Sequence, residues 1–197
     1  MRLLLVRHGQ TTSNVGQLLD TAFPGADLDE LGRRQAAALV HRLAEARIDA
    51  IAVSNLVRTA QTAAPVAAHR SLTPVVFPGL REISAGEDEM SPLWQRYVAT
   101  LVGWVDDPTL RLPGGESGLE FLARYDEAID EIAALGHDHV MVVSHGAAIR
   151  TWAGHRVPGL AGTLGHGGVP NTTVIQVEGS AADGWELVSI DVPDGAR

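Results

Sequence analysis

Three short apolar runs punctuate the chain, and each stops abruptly at polar residues. Residues 3–6 run into Arg7 and His8, residues 50–53 into SNLVR, and residues 140–143 into SHGAAIR. Runs this short and this uniformly apolar suit strands buried on both faces, as inside a parallel sheet, each followed by a turn and a helix. Helical periodicity fills the intervals. In LDELGRRQAAALVHRLAEAR the spacing puts Leu31, Ala38, Leu39 and Leu43 on one side and leaves Arg33, Arg34 and Arg42 to solvent. NLVRTAQTAAPVAAHR reads as a second helix that Pro65 should kink or break. GESGLEFLARYDEAIDEIAALG reads as a third, capped by Ser117 and closed by Gly136. TTVIQVEG and GWELVSIDV, separated by a Gly, Ser and Asp turn, read as a strand pair at a sheet edge.

Strands alternating with helices predict an α/β sandwich around a mostly parallel sheet. In such sheets ligands bind beyond the carboxyl ends of the strands, where helix N-termini also present unpaired N–H groups. Arg7, His8, Arg58 and His145 all fall at that edge. With 197 residues, 45% of them hydrophobic, the chain is expected to form one domain spanning 1–197, with a short cap-like insertion at about 84–114.

Composition then removes whole classes of chemistry. All 15 basic residues are arginine and cysteine is absent. Without lysine there is no phosphate-loop NTPase and no Schiff-base enzyme; without cysteine there is no thiolate nucleophile, disulfide or cysteine metal site. Histidine becomes a leading candidate for nucleophilic work. A net charge of −9 argues against a nucleic-acid partner, since phosphate backbones are held by clustered cations. No stretch approaches the ~18 apolar residues of a membrane span and the first residues fall short of a signal peptide, so a cytoplasmic location without membrane attachment is expected.

Two arginines and two histidines at one edge suit a phosphoryl group. Guanidinium forks match pairs of phosphate oxygens, and an imidazole can attack phosphorus to give a covalent intermediate. At this point LLLVRHGQTTSN resembles the signature of the histidine phosphatase superfamily, the phosphoglycerate mutase-like proteins. The resemblance continues in order through LDELGRRQA, SNLVRTAQTA, LREI, PGGES, VVSHGAAIR and PNTTV, so it covers most of the chain. It implies a three-layer α/β/α sandwich. It also implies His8 as nucleophile, Arg7, Arg58 and a protonated His145 as holders of the transferring group, and Asn14 and the Gly146 amide completing the cradle. Glu82 of LREI matches the family's usual acid, with Glu87, Asp88 and Glu89 close enough in sequence to compete for the role. A dianionic phosphate beside that carboxyl should raise its pKa.

No metal and no other cofactor is expected, because the arginines and histidine supply the positive charge. His137, His139, His155 and His166 lack the spacing of a zinc set, and the first two read as part of a solvated turn. Leu93, Trp94, Tyr97, Val98, Leu101 and Val102 fall at helical spacing and could cover the core, cap the phosphate pocket, or do each with one face; they also leave a homodimer open. Where the family often has a glycine, an aromatic and Glu-Gly after its acid, this chain has GEDEM. The leading expectation is a metal-independent phosphatase acting on a small phosphorylated metabolite through a phosphohistidine. The alternatives are a phosphoglycerate-type mutase and a non-catalytic phospho-ligand-binding protein.

Overall fold

The computed structural model describes residues 1–164 and 168–193. Its centre is a six-stranded sheet in the order β3-β2-β4-β1-β5-β6. The strands are β1 (Arg2–Arg7), β2 (Ala50–Val53), β3 (Val75–Val76), β4 (His139–Ser144), β5 (Val174–Ser180) and β6 (Gly184–Asp191). β3, β2, β4 and β1 run parallel, while β5 and β6 are added antiparallel as the expected edge pair. The three apolar runs are adjacent central strands. Their register aligns Val6 and Val53 with Val143, and Arg7 with Ser144, so the polar residues that end each run emerge side by side.

Alternation along these strands feeds two cores. Leu3, Leu5, Ala52, Val140 and Val142 face one side, against α5 (Gly118–Ala134) and α6 (Gly146–Arg156). Leu4, Val6, Ile51, Val53, Met141 and Val143 face the other, against α2 (Glu30–Arg42) and α3 (Val57–Arg70). With both faces covered the fold is the expected α/β/α sandwich. Short helices α1 (Thr12–Val15), α4 (Gln95–Gly103) and α7 (Leu160–Leu164) complete it. Ser117 caps α5 in a reciprocal box with Glu120, and Gly136 follows that helix at φ +76°, a conformation that favours glycine.

Four expectations are corrected. The buried stripe of α2 is Gly32, Ala36 and Leu39, with Leu43 just beyond, whereas Leu31 is 40% exposed and Ala38 is also exposed. Glycine belongs to this stripe because the helix start presses on the loop after β1: a Cβ on Gly32 would lie 2.0 Å from the Gln10 carbonyl oxygen. Arg42 is half-buried instead of solvated, tying α2 to β6 through Asp191 at 2.7 Å. Pro65 does not break its helix, since α3 runs unbroken from Val57 to Arg70, held by Ala63, Val66 and Ala67 in the core. His139 is the half-buried first residue of β4, 3.5 Å from Asp49, while His137 is exposed. His166 lies outside the described residues.

The segment 84–114 contains a short 3₁₀ turn (Gly86–Asp88) and α4. Tyr97 and Trp104 anchor it in the core, each fully buried and each donating a hydrogen bond to a backbone carbonyl, of Ile83 and Leu110 respectively. Such aromatic anchors fix the helix while its opposite face stays exposed at Val98 and Val102.

Candidate active site

A cavity of about 690 Å³ opens at the carboxyl ends of β1 and β4, lined among others by Arg7, His8, Asn14, Arg58, Glu82 and Gly146. His8 leaves β1 with its backbone fixed on both sides: its N–H donates to Ser144 O at 3.0 Å and its carbonyl accepts from Asn171 Nδ2 at 2.9 Å. The ring is buried and its Nδ1 lies 2.7 Å from Gly9 O. A carbonyl only accepts, so Nδ1 carries the hydrogen and Nε2 keeps its lone pair. Arg58 Nε donates to that Nε2 at 3.1 Å. Gly9 is itself pinned by Thr62 Oγ1 at 2.9 Å and by the backbone of Gly32.

Arg58 projects from the first turn of α3 and is 2% exposed. Its Nη2 donates to Asp20 O at 2.8 Å, and its Nη1 lies 3.6 Å from Asp20 Oδ2 without a hydrogen-bond partner. Arg7 reaches across to Val169 O, and its Nε is buried without a partner. Gly146 permits this approach, because a Cβ there would sit 3.1 Å from Arg7 Nε. His145 stands 5.2 Å from His8 between ring centres, its Nε2 2.8 Å from Ser54 Oγ and its buried Nδ1 unpartnered. Three buried nitrogens with unused hydrogen-bonding capacity therefore belong to residues gathered around one ring. Buried polar atoms are normally paired, and an oxyanion would pair these.

Burial sets the charges. It lowers Arg7 to about 10, partly offset by the nearby Glu82, so the guanidinium stays cationic at neutral pH. His8 is pushed well below its ordinary value by burial, then by Arg58 and Arg7. His145 is pushed down by burial and then by Arg58, so the expected protonated imidazole is not the state that the ligand-free site favours. A dianion among these groups reverses the sign of the local field and favours the imidazolium.

Glu82 sits at the N-terminus of α6. Its Oε1 accepts from Ile83 N at 2.9 Å and Ala148 N at 2.8 Å, and among the described residues its Oε2 accepts from Ala147 N alone, at 3.2 Å. The proton of the neutral acid thus belongs on Oε2, which has capacity left. Burial raises the pKa despite those N–H donors and Arg58. The competitors are committed elsewhere: Asp88 pairs with Arg96, Glu89 binds Thr21 and Ala22, and Glu87 is exposed. None of the three lines the cavity. Asn14 also lines it, its Oδ1 occupied by Thr11 N and Asn171 Nδ2, which leaves its NH₂ group for a ligand.

Several supporting residues carried no role in the sequence reading. Ser54 follows β2 as His8 follows β1, and that shared sheet-edge position was the signal that could have found it. Asn171 lay within the quoted PNTTV. Glu116, within PGGES, pairs with Arg124 at 2.7 Å, and Arg124 in turn holds the carbonyls of Gly79, Arg81 and Glu82. Only a folded chain brings these together. Among the described residues no group of three His, Asp or Glu side chains is arranged to hold a metal ion, and no helix is long and apolar enough to cross a membrane.

Residues 3–192 match the model of the Histidine phosphatase superfamily (branch 1). The chain belongs to that superfamily. Among this histidine phosphatase's relatives is the PE-PGRS family protein PE_PGRS11 of Mycobacterium tuberculosis, 36% identical over 213 residues, an alignment covering 96% of this chain. The same alignment covers only 36% of that longer protein's own length. The probable phosphoglycerate mutase GpmB of Proteus mirabilis is 35% identical, over 76% of this chain and 71% of its own. A mycobacterial glucosyl-3-phosphoglycerate phosphatase solved in complex with VO3 superposes with a TM-score of 0.81 at 28% identity, covering 98% of this chain and 99% of that one. A putative alpha-ribazole-5'-P phosphatase from Escherichia coli gives 0.75 at 25% identity, covering 98% and 95%.

Proposed function

We propose that this histidine phosphatase hydrolyses small phosphate monoesters through a phosphohistidine at His8. One observation carries the reading: Gly9 O fixes the His8 tautomer so that Nε2 offers a lone pair, inside a nest of guanidinium groups whose remaining donors are unpaired. Nε2 gives up its hydrogen bond from Arg58 Nε and attacks phosphorus as the P–O bond to the alcohol breaks. The leaving oxygen takes the proton from Glu82 Oε2. The phosphorylated ring is cationic while Nδ1 keeps its hydrogen, and the Gly9 carbonyl stabilises that charge. Arg7, Arg58 and His145 receive the equatorial oxygens as charge spreads over them, the His145 imidazolium donating Nε2–H to Ser54 Oγ so that Nδ1–H faces the anion. In the second half Glu82, now a carboxylate, takes a proton from water as the water oxygen bonds to phosphorus and the P–N bond breaks. Asn14 and the Gly146 amide complete the cradle in this reading.

The same machinery could return the group to another hydroxyl, as a mutase does. Hydrolysis is favoured because the cavity is open to water past Val98, Val102 and Val105, which are 48, 66 and 74% exposed. Glucosyl-3-phosphoglycerate and alpha-ribazole-5'-P phosphatases among the structural relatives point the same way. A cytoplasmic setting, where small phosphate esters are made and consumed, goes with that activity. A panel of phosphate esters assayed with a chelator present tests it. Free phosphate is the expected product, positional isomers without free phosphate would mean a mutase, and no turnover would mean a binding protein.

A further inference from the structure

The phosphoryl nest is only the floor of the cavity. Above it, α4 and its flanks supply Trp94, Val98, Leu101, Val102 and Val105. Facing them, α6 contributes the small residues Ala147, Thr151 and Gly154, flanked by Arg150 and His155. The core does not account for the valines. Tyr97 and Trp104 already bury the inner side of the segment, while Val98, Val102 and Val105 stand exposed over the cavity. Valine is a mediocre helix former, and a face that met only water would be polar.

The few polar groups on these walls are mostly engaged already, Arg150 among them. Trp94 Nε1 already donates to Gln17 O at 2.6 Å, Thr21 Oγ1 is engaged by Glu89 and Ala85 N, and His155 Nδ1 lies 2.8 Å from Thr151 O. A polyhydroxylated body placed here would set most of its hydroxyls against alkyl groups, losing water without gaining partners. An alkyl or aryl body would instead bury carbon against carbon, while the nest below holds its phosphate.

We propose that the site selects phosphate monoesters whose alcohol portion is apolar, alkyl or aryl, with Val98 and Val102 as specificity-determining residues. The inference rests on the phosphatase reading and separates this chain from its glucosyl-3-phosphoglycerate phosphatase neighbour.

Unbranched alkyl phosphates from methyl to hexyl share one leaving-group chemistry, so their kcat/KM values report contact with the body of the alcohol. The expected result is a rise of about fourfold per added methylene until the walls are covered, with glycerol and hexose phosphates far below alkyl esters of similar size. Val98→Asn with Val102→Asn should flatten that rise; both positions are exposed, so thermal unfolding should show the variant folded. Hydrolysis that is indifferent to chain length, or that prefers the polyol esters, overturns the proposal. So does a flat series from a protein that dimerises through this face, which would assign the valines to a second copy. Failure to hydrolyse every ester, activated aryl esters included, would instead overturn the phosphatase reading beneath it.

Discussion

Replacing Glu82 by glutamine keeps the shape of the side chain and removes its proton. The structure sets two separate consequences. In stability, the amide oxygen can take the Oε1 position with its two donors, Ile83 N and Ala148 N, but the NH₂ then faces Ala147 N–H, donor against donor. One buried N–H left unpaired costs about 1–3 kcal/mol, or roughly 2–12 °C in Tm for a chain of this size. In catalysis, general acid assistance is worth about 10²–10⁴-fold, which is roughly 3–5 kcal/mol of barrier. That loss should appear in full with alkyl phosphates, whose alkoxide must be protonated as it leaves. With p-nitrophenyl phosphate, whose leaving anion is stable, the loss in kcat/KM, which ends at phosphoryl transfer to His8 and so leaves out the later base step, should stay under about tenfold. Phosphate release is measured for both substrates well below the variant's Tm, per mole of folded protein. Equal losses on the two esters would refute the assignment of Glu82 as acid and return Glu87, Asp88 and Glu89 to contention.

Two further perturbations probe the frame around the site. Gly32→Ala drives a Cβ into the backbone of Gln10, which cannot yield as a side-chain end would; overpacking of this kind costs about 1–3 kcal/mol and should lower both Tm and turnover by moving the loop that pins His8. Gly162→Ala, with nothing within 4 Å of the new Cβ, is the matched control and should leave Tm unchanged or slightly raised; similar losses in both would remove the steric argument. Acid should also unfold the protein through its buried histidines. His8 and His145 have folded pKa values below 6.5, so below that pH the unfolded chain binds more protons and stability falls as pH falls through the folded values. Glu82, raised above 4.5, has the opposite sign: its contribution is complete below 4.5 and is lost as pH rises through its folded value. Where the windows overlap, two protons against one leave a net slope of about 1.4 kcal/mol per pH unit. Denaturant titrations between pH 5 and 7 should show His145→Gln flattening the acid loss; identical slopes in variant and wild type would mean that His145 is not held neutral.

Much of the frame was legible because it follows from burial alone. Residues 3–6, 50–53 and 140–143 are apolar at every position since helices cover both faces of the central sheet, and that uniformity is what distinguishes a parallel strand. The site followed from the frame: polar residues that end adjacent strands must meet, which brings Arg7, His8 and His145 together, and Arg58 joins them from the start of α3. The differences between expectation and structure have separate physical causes. A stripe judged by side-chain size omits glycine, although the close approach of α2 to the Gln10 carbonyl requires Gly32. Local propensity marks Pro65 as a helix breaker, and tertiary packing of α3 overrides it. Asn171 and the Glu116–Arg124 pair act on the His8 and Glu82 backbones across long sequence separations that no local pattern encodes, whereas Ser54 is marked by its place at the end of β2.

The central claim is a covalent bond between His8 Nε2 and phosphorus. Rapid mixing with an aryl phosphate, a quench that avoids acid because the N–P bond is acid-labile, and mass analysis of the digested chain test it most directly. The account predicts one phosphoryl group on the peptide containing His8, appearing before free phosphate and decaying no slower than turnover. It also predicts no adduct and no turnover in His8→Asn. Turnover that survives in that variant, or a phosphoryl group found on another residue, would contradict it.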